Sequence, residues 1–356
     1  MEEKMMKKRI LALVLVVCLI ASLAACAGNK TANKIYILTP SEDHGWTGSV
    51  ATFAKLKAEE INAAGKYTAE VKTAASAAEQ IQQIEDLLTK KNEIAGIAIL
   101  PMDDTVGSAI QQIADAKIPY TAFDRIIADV AASAKANVKG DNQGIGAAPA
   151  AYFVSLGMQP GDAVYVYQGD TSSVTTTRTE GFYKYLLGEL EYAGKKIDDA
   201  AKWTQDQINT ACTESGAMNW SRAATKEHFE SLMGNAENAN IKWFYTQDDE
   251  LAMGILEALN GSAIDEATKA TILANEIAIS AAGGLKELYD VLKGELYADL
   301  YAQLGGFMSV TYNPSMIQTC VQDLLDALEG KTVAQDHVIE CEIVDASNVA
   351  NYKPFS

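Results

Sequence analysis

Cysteine is scarce in this chain: five in 356 residues, at Cys18, Cys26, Cys212, Cys320 and Cys341. None forms a Cys-x-x-Cys or a metal-ligand spacing, which argues against a zinc ribbon or a redox dithiol. Cys212, Cys320 and Cys341 can form at most one disulfide, and as small apolar residues they read as buried packing. There are three histidines, His44, His228 and His337, far apart in sequence, so a histidine metal site or a histidine-based triad has little to stand on. Basic charge is short as well. Lys and Arg number 29 against 47 Asp and Glu, a net charge of −18. The first 25 residues hold four basic and two acidic groups, so the remainder is near −20. Such a surface repels nucleic acid and favours solubility. Past the N-terminus, no apolar run approaches membrane-spanning length.

What is present begins at the N-terminus. Lys4, Lys7, Lys8 and Arg9 precede an uncharged apolar run over 10–21. That run is too short to span and remain, and reads as the core of a signal peptide over 1–25. Leu23-Ala24-Ala25-Cys26 follows. It looks like a bacterial lipobox, with Cys26 as the lipid acceptor. Residues 26–33 are small and polar, and read as a tether. These features predict an extracytoplasmic protein, lipid-anchored on the outer face of the cytoplasmic membrane; several acyl chains hold where one would not.

From residue 34 the chain alternates between short apolar runs and amphipathic stretches. Strands are predicted over 34–39, 67–73, 94–100 and 119–123, with helices over 48–64, 77–91 and 105–116 between them. The pattern restarts after Gly140-Asp141-Asn142. Strands are then expected over 163–168, 241–246, 268–274, 308–312 and 338–344, and helices over 175–190, 217–234, 249–259, 285–293 and 314–328. Strand–helix alternation with short links implies parallel sheets covered on both faces, here in two α/β units of similar size. No short repeat or low-complexity tract interrupts them.

Ligands of open α/β sheets bind beyond the carboxyl ends of the strands. The residues there are Ser41 to Trp46, Asp124-Arg125, the run up to Arg178, Gln247 to Glu250, and Thr311 to Pro314. Carboxylate, guanidinium and aromatic groups recur at these ends. A small polyhydroxy ligand needs this mixture: acceptors for hydroxyl protons, donors for ring oxygens, and flat apolar faces.

Asp43–Trp46 (DHGW), Ala122–Arg125 (AFDR), Gly140–Gly146 (GDNQGIG), Arg178–Phe182 (RTEGF) and Thr246–Leu259 (TQDDELAMGILEAL) occur in that order. Together they resemble the type I periplasmic (solute) binding proteins, in the ribose/galactose/glucose group, and the resemblance covers nearly all of the chain after the tether. It implies two Rossmann-like lobes with parallel sheets joined by a three-strand hinge. The first lobe would comprise 34–139 and 313–337, the second 140–312 and 338–356, with crossovers near Gly140, Tyr312 and His337. It further implies a monomer without cofactor or metal that closes on a monosaccharide and hands it to the permease subunits of an ABC importer.

Carried over residue by residue, the resemblance assigns Asp43 to sugar hydroxyls, although Asp at a helix start also serves as a cap. Trp46 and Trp220 would stack on opposite faces of the sugar ring. Asp124 and Arg125 would read a vicinal diol. Arg178 would donate to the ring or anomeric oxygen. Asp248 stands where relatives carry Asn, and Asp249 reads as the helix cap. Tyr312 replaces a Gln or Asn. The group's Gly-x-Asp is absent after 268–274, where Asn275 or Glu276 would stand in. Three other functions share these features. A glycosidase also uses two carboxylates across a cleft. A sensor of the same fold feeds a chemoreceptor or kinase. The same pocket can suit autoinducer-2, inositol or a nucleoside.

Overall fold

The computed structural model describes residues 32–41 and 45–355. The signal segment, Cys26 and Asp43 lie outside them. The first half contributes β1 (Lys34–Pro40), β2 (Thr68–Ala74), β3 (Ile94–Ile99), β4 (Tyr120–Phe123) and β5 (Ala136–Gly140). The second contributes β6 (Val164–Gln168), β7 (Cys212–Ala217), β8 (Trp243–Thr246), β9 (Ala278–Ser280) and β10 (Gly306–Val310). Then β11 (Asp336–Ile339) joins the first sheet and β12 (Ile343–Val344) the second. The orders are β11-β5-β4-β3-β1-β2 and β12-β10-β9-β8-β6-β7. Every pairing is parallel except β10 with β12. The chain therefore passes between the sheets three times, after β5, after β10 and after β11.

The central strands are apolar because both faces are covered: every residue of Ile94–Ile99 is buried. The helix Met316–Leu328 follows a strand of the second sheet yet packs on β3, β4 and β5 of the first. Its Leu324 fills the space over Gly96, where a Cβ would lie 2.9 Å from the leucine side chain. Thr121 on β4 donates to the Cys320 carbonyl of that helix at 3.1 Å. Cys212, Cys320 and Cys341 are all free thiols.

Four segments differ from expectation. Residues 268–274 are helical, within Glu266–Ala274, because Asp265 caps the turn by accepting from Ala267 and Thr268 N–H. The strand comes later, at Ala278–Ser280; a short apolar run suits helix and strand equally, and the cap decides. The expected helix over 217–234 starts only at Arg222, capped by Ser221. Cys212–Ala217 ahead of it is an exposed edge strand with no apolar alternation to reveal it. The expected single strand over 338–344 is two short strands, one in each sheet. Finally, β5 and the helix Asn142–Ser155 were not foreseen. That helix is almost wholly small and apolar and buried most of the way round, so it shows no helical stripe.

Candidate ligand-binding site

The carboxyl ends of strands from both sheets face one cavity of about 450 Å³. Its walls come from residues that end or follow β1, β2, β3, β4, β6, β7, β8 and β10. Trp46, Asp124, Arg125, Arg178, Trp220, Asp248 and Tyr312 all line it. So do Asp103, Asp170, Asn219 and Glu250, which sequence reasoning did not single out.

Asp124 directly follows β4. Its backbone is left-handed, with φ of 63°, and its N–H donates to the Val138 carbonyl of β5 at 2.8 Å. Asp tolerates this conformation better than most residues. The side chain is only 7% exposed, and Oδ1 finds no hydrogen-bond partner among the described residues. Burial pushes its carboxyl up to about 6, against the opposing pull of Arg125 and Arg178.

Arg125 reaches across the cavity. One terminal nitrogen donates to the Met102 carbonyl, the other to Asp170 Oδ2 at 3.0 Å. Asp170 belongs to the loop after β6, so this ion pair joins the two halves. Its other oxygen accepts from Ser172 N–H at 2.9 Å, Ser172 Oγ at 2.5 Å and Thr175 Oγ1 at 3.2 Å. Burial alone would raise this carboxyl, but Arg125, Ser172 and the Trp220 indole outweigh it and hold it below its usual range. The signal was available: Asp170 stands two residues past a predicted strand, in Gln168-Gly169-Asp170.

Arg178 comes from the helix Ser173–Leu186, which packs against Asn142–Ser155 at close range. A Cβ on Gly146 would lie 1.9 Å from the Arg178 carbonyl, and one on Gly181 2.2 Å from that of Gln143. The glycines of both motifs thus set the helix that carries the arginine. Arg178 is 2% exposed. It donates to Asn142 Oδ1 at 3.0 Å and to the Gln247 carbonyl at 2.6 Å. Its guanidinium carbon lies 4.5 Å from the Tyr312 ring centre and 5.6 Å from that of Trp220, within cation–π range.

The two tryptophans are held differently. Trp220 follows β7 through two left-handed residues, Asn219 and Trp220, and its ring lies on Gly169, where a Cβ would come within 2.1 Å. Trp46 stacks on Tyr312 at 5.1 Å and on Phe123 at 6.0 Å, and its indole N–H donates to the Tyr312 carbonyl at 2.7 Å. It packs against the hydrophobic clusters of both halves. Tyr312 is itself buried over Gly140 at the crossover, with its ring 2.2 Å from where a Cβ would stand.

Asp248, not Asp249, caps the helix Asp249–Asn260; its Oδ1 accepts from Glu250 N–H at 2.7 Å. Burial, then Asp249 and Glu250 beside it, push its carboxyl up to about 8. Asp249 points into the core. It accepts from Gly284 and Leu285 N–H, both at 2.6 Å, and from Ser309 Oγ at 2.7 Å, tying the loop after β9 to β10. The sequence context of the two aspartates is nearly the same; which one turns outward depends on those tertiary donors. Glu250 accepts from Arg222 Nε at 2.6 Å. Its other oxygen approaches Gly45, at the start of the helix Gly45–Ala64, where a Cβ would be 2.6 Å away.

Asn275 is a correction. It forms the C-cap of Glu266–Ala274, ahead of β9, so it sits at the amino end of that strand, away from the cavity. Glu276, the next residue, also precedes β9. The carboxyl end of β9 is followed by Ala281-Ala282-Gly283, so no acid stands in the expected place. The cause is the misplaced strand. Asp43 lies outside the described residues. Among the described residues, no cluster of His, Cys, Asp and Glu is arranged to hold a metal.

Comparison with known proteins adds the following. A family model described as a periplasmic binding protein domain matches residues 35–332. A fructose import binding protein of Bifidobacterium longum is 24% identical over 279 residues, 76% of this chain and 73% of that protein. An ABC transporter solute binding protein from Bacillus halodurans, solved with bound myo-inositol, is 17% identical with a TM-score of 0.69, over 92% of this chain and 99% of that one. A periplasmic solute binding protein from Actinobacillus succinogenes, solved with bound D-allose, is also 17% identical, with a TM-score of 0.67 over 90% and 100% of the two chains.

Proposed function

Because the chain belongs to the periplasmic binding protein domain family, we propose that it is an extracytoplasmic solute-binding lipoprotein that captures a monosaccharide or a similar cyclic polyol for an ABC importer. The observation that carries this reading is the cavity at which strand ends of both sheets converge, lined by acceptors, donors and aromatic faces. Hydroxyls are the groups such a lining suits. Asp124 and Asp248 accept their protons, Arg125 and Arg178 donate to oxygens, and the Trp220 and Tyr312 rings offer flat apolar area. The relatives named above were found with, or are named for, fructose, myo-inositol and D-allose.

The two halves, 34–139 with 313–337 and 140–312 with 338–356, act as lobes that open and close about the three crossings. The Arg125–Asp170 ion pair spans them. A ligand that fills the cavity adds contacts from both sides at once, and so favours the closed arrangement by its differential affinity. Cys26 carries the lipid that keeps the closed protein near the permease, and the protein acts as a monomer that leaves its ligand chemically unchanged. The test is a thermal-shift and calorimetric screen of monosaccharides, inositols, nucleosides and autoinducer-2 analogues. One-to-one binding at roughly micromolar affinity is expected, without added metal or nucleotide. A screen with no heat and no shift for any sugar or polyol would refute the reading.

A further inference from the structure

Resting on the reading that this cavity is the binding site, we infer that its preferred ligand carries an ammonium group beside its hydroxyls: an amino sugar or amino polyol, rather than a neutral or acidic one. The charged groups that line the cavity do not balance. Arg125 is already engaged, by the Met102 carbonyl and by Asp170. Glu250 is engaged by Arg222, which stands outside the cavity wall. That leaves Asp124 and Asp248, 7% and 8% exposed, with Arg178 as the one guanidinium among the described lining residues that is not paired to a carboxylate. Arg178 donates to an amide oxygen and a main-chain carbonyl, not to a carboxylate. Among the described residues, two buried carboxylates therefore share one unpaired guanidinium, and at least one negative charge in the wall has no counter-charge.

Two further observations point the same way. Asp124 Oδ1 is buried and lacks a donor among the described residues, and a carboxylate oxygen so placed is costly to leave unpaired. A hydroxyl supplies the donor, but an ammonium supplies the donor and the missing charge. Aromatic faces at Trp46, Trp220 and Tyr312 line the same space and attract cations. Without a cation the surplus is met by a proton. Burial, with Asp249 and Glu250 beside it, pushes the Asp248 carboxyl up to about 8 against the pull of Arg178. An ammonium takes over the place of that proton, whereas a uronic or aldonic acid brings a third negative charge.

The experiment uses the mature chain and calorimetry slightly below neutral pH. Glucosamine, galactosamine and mannosamine are each compared with the parent hexose, the N-acetyl derivative and the uronic acid. The expected result is that at least one amino sugar binds about tenfold or more tightly than its parent and its N-acetyl form. Binding should release protons, read from buffers of different ionisation heat. Asp248→Asn keeps a competent helix cap, since Asn caps as well as Asp, and should bring amino sugar and parent hexose close to equal affinity. A parent hexose that binds as tightly as its amine overturns this inference and leaves the preceding reading standing. An undiminished amine preference in Asp248→Asn also overturns it. Failure of every sugar, neutral and amino, sinks both.

Discussion

Trp46 and Trp220 line the same cavity, and truncating each to alanine should nevertheless divide its cost differently between stability and affinity. The Trp220 ring rests on Gly169 and near Arg178, and it belongs to neither hydrophobic cluster that Trp46 joins. In the unliganded protein its removal forfeits one long cation–π contact, the indole hydrogen bond to Asp170 and some packing, about 1–2 kcal/mol. In the complex it forfeits a whole ring face, in the range of a binding hot spot, about 2–4 kcal/mol. That is a loss of affinity of roughly 30- to 800-fold. Trp46 stacks on two rings, donates one hydrogen bond and touches both cores. A fully buried Trp→Ala costs about 3–5 kcal/mol. Trp46 is half-buried, so about 3 kcal/mol of apo stability is expected, including about 1 for the lost hydrogen bond. Because Tyr312 then loses its stacking partner, affinity should fall as well. Scanning calorimetry of the unliganded variants, with titration of the sugar found in the screen, separates the cases. Trp220→Ala that melts many degrees lower yet binds normally, or Trp46→Ala with unchanged melting, would refute the division of roles drawn from the packing.

Asp249→Ala should lower stability by about 3–5 kcal/mol, because three buried donors at Gly284, Leu285 and Ser309 lose their acceptor; chemical denaturation of apo protein measures it. Asp124, Asp248 and Asp249 all have carboxyls raised by burial, to about 6, 8 and 6. Their protonated forms favour the folded state, so this contribution is complete below the ordinary carboxylate range and is lost as pH rises through the raised values. The unliganded protein should melt lower at about pH 8 than at about pH 5, and Asp248→Asn should flatten the upper part of that slope. Gly146→Ala should weaken ligand binding without touching the cavity, since its methyl would force the Arg178 carbonyl aside; paired melting and titration curves show it. Cys26→Ser should release the protein from membranes or leave it unprocessed, which fractionation and mass spectrometry detect.

Much of this protein was legible in one dimension. The strands over 94–100, 119–123, 163–168 and 241–246 announce themselves because a parallel strand buried on both faces must be apolar throughout. Once strands are located, Asp124, Arg125 and Asp248 follow as residues at their carboxyl ends, because the fold puts ligands there. The N-terminal charge, apolar run and Leu-Ala-Ala-Cys are local features of the sequence, and the anchor they predict lies outside the described residues. What tertiary structure decided is whatever depends on partners distant in sequence. Residues 266–274 are helical because a cap at Asp265 outweighs a short apolar run. That displacement removes Asn275 from the cavity. Asp248 faces the cavity and Asp249 the core because donors at Gly284, Leu285 and Ser309 are brought up by another strand. Arg125 meets Asp170, 45 residues on and in the other sheet. Charge at a strand end is visible in sequence, but which charges cancel depends on what the folded chain sets opposite them, and that balance decides the chemistry the cavity accepts.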